Sequence, residues 1–335
     1  MQYSGLGDLA RFFASSRANF DIRTRLDGLA RELSTGLKLD PSRDLGAEGS
    51  RVPQIDRQLS LVSRQVSSAN QLADRLAVMQ AGLGNLANLG TTFREQLVSL
   101  SQSSGNSWRQ EVSRLGQIAI EDAVSTLNTR FANSFLFSGV GEEMPGLAPA
   151  QEILDAIRID IAGVTSADDL VEVIDDWFTE PGGGFDMNAY LGDDGDPIER
   201  RLDDLSSIRI DVRADSGAIR ELMKGAALAY FADDPAVILP DQERDAVVAR
   251  AADTLFGASS QLAELSGELG HVEQRVDQAI ARLVAQQTSL SIMQGSLLGA
   301  DPFETASELE QVQFQLETHY AVTARLSQLS LTRYL

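Results

Sequence analysis

The sequence predicts a mainly α-helical fold, a long antiparallel helical bundle or coiled coil that carries a small α+β insert. Three features predict it: two long stretches with a 3.5-residue apolar period, a proline distribution that leaves both uninterrupted, and an acidic middle with different local patterning. Leu and Ala supply most of the apolar content and aromatics make up only 6%. That balance suits helices packed along seams better than a thick core. At 335 residues and 43% hydrophobic content the chain can fill two ordinary domains and is too apolar for disorder.

Taken in order, the chain opens with a helix expected from about Gly7 to Thr35. Leu9, Phe13, Ser16 and Phe20 keep heptad spacing, and Ile22, Leu26, Leu29 and Leu33 follow in a shifted phase. Two phases on one helix imply contacts on more than one side. Gly36 fits a helix stop and Asp40-Pro41-Ser42 a turn after it. A charged connector from Arg43 to Arg51 follows, and Pro53 stands where the first long helix begins.

That helix carries the clearest seam. Steps of four and three residues give Ile55, Leu59, Val62, Val66, Ala69, Leu72, Leu76, Met79, Leu83, Leu86, Gly90, Phe93, Leu97 and Leu100, with one extra three-residue step at Ala69 to Leu72. From Ile55 to Leu100 such a helix is about 69 Å long at 1.5 Å per residue, so it needs a partner along its length. The small and polar run Ser101 to Ser107 interrupts it, and the chain is expected to reverse there. A further helix runs from Trp108 through Val112, Leu115, Ile120, Val124, Leu127 and Phe131.

The middle reads differently. Ser166 with Asp169 forms a capping pattern ahead of Leu170, Val173, Ile174, Trp177 and Phe178 on one helical face, and Pro181 to Gly184 stops that helix. Ser207 to Arg213 alternates apolar and charged residues, as a half-buried strand does. Asp215 or Ser216 caps a helix whose face is Ile219, Leu222, Met223, Ala226, Ala227 and Tyr230.

The partner of the first long helix comes next: Val248, Ala252, Leu255, Ser259, Leu262, Leu265, Leu269, Val272, Val276, Ala279, Leu283, Gln286, Leu290, Met293 and Leu297 follow the same stepping. It is about 75 Å long, so the two helices match in length. None of the nine prolines lies between Gln54 and Met144 or between Asp241 and Asp301. The last helix starts with Asp301 as N-cap, Pro302 as first residue and Glu304 as the reciprocal third, and reaches about Thr332.

Charge and composition narrow the function. The formal net charge is -21, and Gly141 to Asp245 holds 26 Asp and Glu against 8 Lys and Arg. Such a surface repels phosphate backbones and anionic lipid, so neither nucleic acid nor membrane is expected as a partner. There is no cysteine, hence no disulfide or thiol chemistry. No window is apolar enough to span a bilayer, and the first residues lack the basic region of a cleaved secretory signal. His271 and His319 are isolated, which does not make a metal site. The carboxylates of Asp193 to Asp196 lack the spacing of a calcium loop, and Gly182 to Gly184 lacks the context of a phosphate loop. No Ser or Thr pairs with a base and an orienting acid. No catalytic, cofactor-binding or metal residue, and no cofactor, is therefore assigned, and the chain is read as no enzyme.

At its two ends the chain resembles a known family. Leu33-Ser-Thr-Gly-Leu-Lys-Leu-Asp40 resembles the segment that closes the first helix of bacterial flagellins and their junction relatives, and Tyr320 to Leu335 resembles their C-terminus. Phe135-Leu-Phe-Ser-Gly139 is similar to the element after the second helix in the hook-filament junction branch of the family. Arg209 to Asp215 with the helix from Gly217 is similar to that branch's insert. After Asp40 the sequence departs from the family, with Asp44-Leu-Gly-Ala-Glu-Gly in place of an acidic pair and alanines.

The resemblance implies a flagellin-like fold and a structural subunit at the hook-filament junction, outside the cell, exported by the flagellar type III apparatus without a cleaved signal. Its implied partners are copies of itself in a ring, a neighbouring hook-associated protein, flagellin, and an export chaperone at the C-terminal helix. Flagellin itself is one alternative. A helical-hairpin signalling protein of chemoreceptor type is another, though its hairpin tip would stand where this chain has the insert. Residues 1–40 with 301–335 are expected to form a paired assembly domain, 41–140 with 241–300 a helical rod, and 141–240 an acidic insert facing outward. The terminal helices carry more apolar surface than one seam uses. The expected assembly residues are Leu9, Phe13, Phe20, Leu26, Leu29, Leu33, Leu309, Val312, Leu316, Tyr320, Leu326, Leu329, Leu331 and Leu335.

Overall fold

The computed structural model describes residues 4–40, 50–102, 107–141, 143–193, 195–203 and 206–331. In chain order these form α1 (Ser4–Thr35), α2 (Arg51–Ser101), α3 (Ser107–Leu127), β1 (Arg130–Phe131), β2 (Ser134–Phe135), α4 (Ala150–Asp160) and α5 (Ala167–Thr179). A π-helical turn (Phe185–Ala189), β3 (Ile198–Arg201), β4 (Ser207–Ile210), α6 (Gly217–Phe231), α7 (Asp241–Leu298) and α8 (Pro302–Leu331) complete it. The fold is mainly α with long antiparallel helices, as the two seams predict. The connector from Arg43 lies largely outside the described residues. The chain divides into two compact units, Met1–Arg64 with Val284–Leu335, and Gln65–Leu283.

Local chemistry sets the element ends. Gly36 adopts a left-handed φ of +70° and donates its N–H to Glu32 O at 2.7 Å, closing α1. Ser166 Oγ accepts from the Asp169 N–H at 3.1 Å at the start of α5. Asp301 Oδ1 accepts from the N–H groups of Phe303 at 2.8 Å and Glu304 at 3.2 Å, opening α8. Ser216 stands at the N-cap of α6, but its hydroxyl turns back and donates to Arg213 O at 2.7 Å.

In the Gln65–Leu283 unit, α2 and α7 run antiparallel, with Gln80 Nε2 hydrogen-bonded to Ser266 Oγ. The seam residues from Leu72 to Leu97 on α2 and those from Val248 to Ala279 on α7 belong to one buried cluster. One hydrophobic core continues from this pair through α3 and the insert, down to Phe137, Phe178, Phe185 and Phe231, none of which is exposed. At the centre stands α6, buried on most of its circumference by Ala218, Ile219, Leu222, Met223, Gly225 to Ala229, and Phe231. Two antiparallel hairpins complete the unit: β1–β2, with Arg130 opposite Phe135, and β3–β4, with Glu199 opposite Arg209.

Five of the insert's basic side chains are held in ion pairs. Arg158 bonds Asp234 at 3.1 Å and Tyr230 Oη at 2.7 Å. Lys224 bonds Asp175 at 2.6 Å, Arg213 lies 3.2 Å from Asp215, and Arg244 pairs with Asp233. Arg220 is a clamp: it donates to Phe178 O at 2.9 Å, Asp215 O at 2.8 Å and Asp186 Oδ1 at 2.6 Å, and lies 4.4 Å from the Phe185 ring centre. Partial burial works to raise the Asp186 pKa, yet the Gly182 N–H and the Arg220 guanidinium outweigh it and leave the carboxyl below its ordinary value. A second clamp, the buried Arg109 on α3, reaches Asp241 and Asp245 in the first turns of α7, both at 2.8 Å.

Glycine positions separate into two kinds. A methyl on Gly116 would stand 2.7 Å from Tyr230 N and 2.8 Å from Ala226 O, so α3 and α6 touch there backbone to side-chain position. Around Gly84, Gly267 and Gly270 nothing lies within 4 Å of the same atom. Gly116→Ala is therefore expected to destabilise the unit by about 1–3 kcal/mol through overpacking. Gly84→Ala, Gly267→Ala and Gly270→Ala are each expected to stabilise their helices by up to about 1 kcal/mol. Urea denaturation of the four variants checks the opposite signs.

Candidate assembly surface

The unit that contains the chain ends is built from α1, α8 and the adjoining parts of α2 and α7. Helices α1 and α8 pair antiparallel. As α1 is followed back from Leu37 to Arg23, its partners on the other side rise from Gly299 through Glu308 to Tyr320. Two backbone bonds pin the end of the pair: Lys38 N–H to Leu298 O at 2.8 Å and Ala300 N–H to Gly36 O at 2.9 Å.

Along the pair the polar contacts are weak. Arg25 meets Glu308 at 3.3 Å with both side chains largely in water, a kind of ion pair worth about 0–1 kcal/mol. Arg23 Nε donates to Tyr320 Oη at 3.0 Å, and that bond holds the phenol below its usual pKa. Holding the pair therefore falls to apolar contact, and little of it is made within the chain. Leu29 on α1 and Val312 on α8 are buried, while Leu26, Leu309 and Leu316 are half-buried.

Other apolar side chains of the pair stand in water. Phe13 is 65% exposed, Phe20 70%, Leu33 42% and Tyr320 41%. Leu9, Leu326, Leu329 and Leu331 fall on the same two helices, and Leu335 lies outside the described residues. Sequence reasoning did not single out Phe12 at 68%, Phe303 at 86% or Phe314 at 69%, and read Val322, at 50%, only as apolar surface off the stripe. Their signal was negative, since they lie off the heptad stripe. On α2, Ile55 and Val62 are buried in this unit, whereas Gln286, Ile292 and Met293 of α7 are exposed.

Burying a phenylalanine returns about 1.5–3 kcal/mol. Phe12, Phe13, Phe20, Phe303 and Phe314 together leave on the order of 10 kcal/mol of gross burial unrealised. That is comparable to the translational and rotational cost of joining two proteins, about 4–15 kcal/mol. Among the described residues no three His, Asp or Glu side chains converge as a metal site. No described helix is long and apolar enough to cross a membrane.

Comparison with known proteins agrees with this geometry. The model of the bacterial flagellin N-terminal helical region matches residues 16–142, and that of the flagellin C-terminal helical region matches residues 253–335. The chain belongs to the bacterial flagellin family. The two matched regions together take in more than half of the chain and leave the insert between them, so the family's helical regions hold α2 and α3 and most of α1, and most of α7 with α8. Its role is accordingly a structural one in the bacterial flagellum.

Among solved structures, this flagellin-family chain is similar to a provisionally assigned flagellar hook-associated protein from Vibrio parahaemolyticus. The identity is 11% and the TM-score 0.52, over 76% of this chain and 99% of that one. It is also similar to FlgL of Bacillus cereus, at 11% identity and a TM-score of 0.48, over 73% and 98%. The former likeness shows the fold. No curated protein matches the sequence.

Proposed function

We propose that this flagellin-family protein is the structural adaptor that joins hook to filament, assembling as a ring through α1 and α8. The observation that carries the reading is the exposure of Phe12, Phe13, Phe20 and Phe314 on a helix pair that buries few of its own apolar residues. In this reading residues 1–40 and 301–335 form the inner wall, the long helices the surrounding shell, and the acidic insert faces outward. Export proceeds through the flagellar type III apparatus without a cleaved signal, with a chaperone on the C-terminal helix beforehand. A neighbouring hook-associated protein lies on one side of the ring and flagellin on the other.

Junction is favoured over filament by the element Phe135 to Gly139. Phe137 is fully buried, its carbonyl accepts from Ala214 N–H at 2.8 Å, and Ser138 O accepts from Asp193 N–H at 2.9 Å. The element thus fastens the insert to the helical core, the use expected of a built-in feature of the junction branch. Deleting the gene is expected to leave hooks without filaments and flagellin shed into the medium, as seen by electron microscopy and immunoblotting. Filaments still attached to hooks would overturn the junction reading, and hooks with stumps lacking only their bulk would favour flagellin.

A further inference from the structure

The insert is acidic overall, yet its cations are unevenly placed: Arg200, Arg201, Arg209 and Arg213, half of the eight between Gly141 and Asp245, lie on or beside the β3–β4 hairpin. That hairpin forms one wall of a cleft of about 540 Å³, whose other walls come from α2 and the β1–β2 hairpin. Arg75, Arg200 and Arg201 line it together with Leu72, Phe131 and Leu202. Among the described residues of the wall the one carboxylate, Asp203, is held by Arg282 Nη2 at 2.8 Å, while Arg75 donates to Phe135 O at 3.4 Å and Arg201 Nε to Asp203 O at 3.1 Å. A volume in the range of ligand clefts, an apolar floor and a positive rim suit a partner that is both elongated and acidic.

The same unit carries such a partner. Asp168, Glu172 and Asp176 stand four residues apart along α5, with Glu180 at its C-cap, all exposed, so the three helical carboxylates follow one stripe at about 6 Å intervals. This stripe costs the isolated helix stability, because like charges at i and i+4 repel and Asp176 and Glu180 sit at the negative end of the helix dipole. Asp168 has Arg250 3.6 Å away.

We propose that the cleft receives the acidic stripe of α5 from a second copy of this chain. Donor and acceptor surfaces differ, so the contact is head-to-tail and propagates from copy to copy, the geometry that closes into rings. The inference rests on the proposed ring of copies and adds a second, electrostatic contact to the one made by the terminal helices.

The chain has no cysteine, which gives a clean test in the full-length protein. Gln71→Cys, in the cleft wall, and Glu172→Cys, on the stripe, are placed in separate chains, mixed, and oxidised both in concentrated solution and in isolated flagella. The expected product is the mixed disulfide dimer, at least tenfold over either homodimer. Arg200→Glu with Arg201→Glu in the Gln71→Cys chain is expected to reduce it tenfold or more. Asp168→Arg with Asp176→Arg in the Glu172→Cys chain, combined with that cleft reversal, is expected to restore it to within about twofold, while circular dichroism melting stays unchanged. No mixed dimer, or a loss that the stripe reversal does not restore, overturns the proposal and assigns the cleft another occupant. Attachment of filaments in the same cells reports on the junction reading separately.

Discussion

A chain carrying Phe13→Asp, Phe20→Asp and Phe314→Asp is expected to fold and melt as the parent does, within about 2 °C, and to be missing from isolated flagella. The reason lies in where these rings stand. Each is 65–70% exposed in the free chain, so replacing it removes few internal contacts, and surface substitutions of that kind usually change stability by less than about 0.5 kcal/mol. In the proposed assembly the same rings are covered. Losing three of them forfeits about 6 kcal/mol of burial, which at 1.4 kcal/mol per decade is on the order of 10⁴ in association constant. Carboxylates placed in a dry interface add a further penalty. Immunoblots of sheared flagella and swimming assays read the result. Normal incorporation would mean that these faces touch nothing in the assembled structure.

The second large effect lies in the Gln65–Leu283 unit. Phe178→Ala is expected to lower its stability by about 3–5 kcal/mol, the usual cost of removing a fully buried ring. Phe178 is completely covered, with Trp177 at 4.8 Å and Phe185 at 5.7 Å between ring centres. Its own carbonyl is held by Arg220, so the backbone cannot easily move in to fill the space. At about 2–4 °C per kcal/mol for a unit of this size the midpoint should fall by about 10 °C. Because one core runs from the insert into the long helices, the loss should appear as a single shifted transition. A separate early melting step for the insert, followed by the parent's own transition, would show that the core does not act as one.

Most of the fold was legible because helical seams are periodic. All fourteen α2 positions read at 3.5-residue spacing are buried or half-buried. On α7 the same rule places Gln286 and Met293 on the seam, yet both are exposed, since periodicity gives the face of a helix and not the length over which a neighbour covers it. Val247, Ala251 and Ala258 form a second buried stripe there. Small side chains gave no signal for it, just as Gly116 gave none for the close approach of α3 and α6. Strand β3, Ile-Glu-Arg-Arg, was hidden by three consecutive charges, and the π-helical turn at Phe185 by the glycines before it.

The exposed apolar surface of α1 and α8 was legible in location and less so in residues. A stripe-based reading of α1 and α8 selects side chains in register with an internal neighbour, and Leu29 and Val312 are buried within the chain for that reason. Phe12, Phe303, Phe314 and Val322 lie out of register, which is why nothing in the chain covers them. Phe13 and Phe20 lie on the stripe and are as exposed, so residues available to a second molecule are those that no internal neighbour reaches, on the stripe or off it.

The central claim is that α1 and α8 remain incompletely packed until other subunits cover them. Hydrogen–deuterium exchange of the free full-length chain, compared with the same chain in isolated flagella, tests it most directly. The account predicts that amides of residues 12–32 and 304–325 exchange at least a hundredfold faster in the free chain than those of α3 and α6, and become as protected as these on assembly. Equal protection of all four helices in the free chain would contradict it.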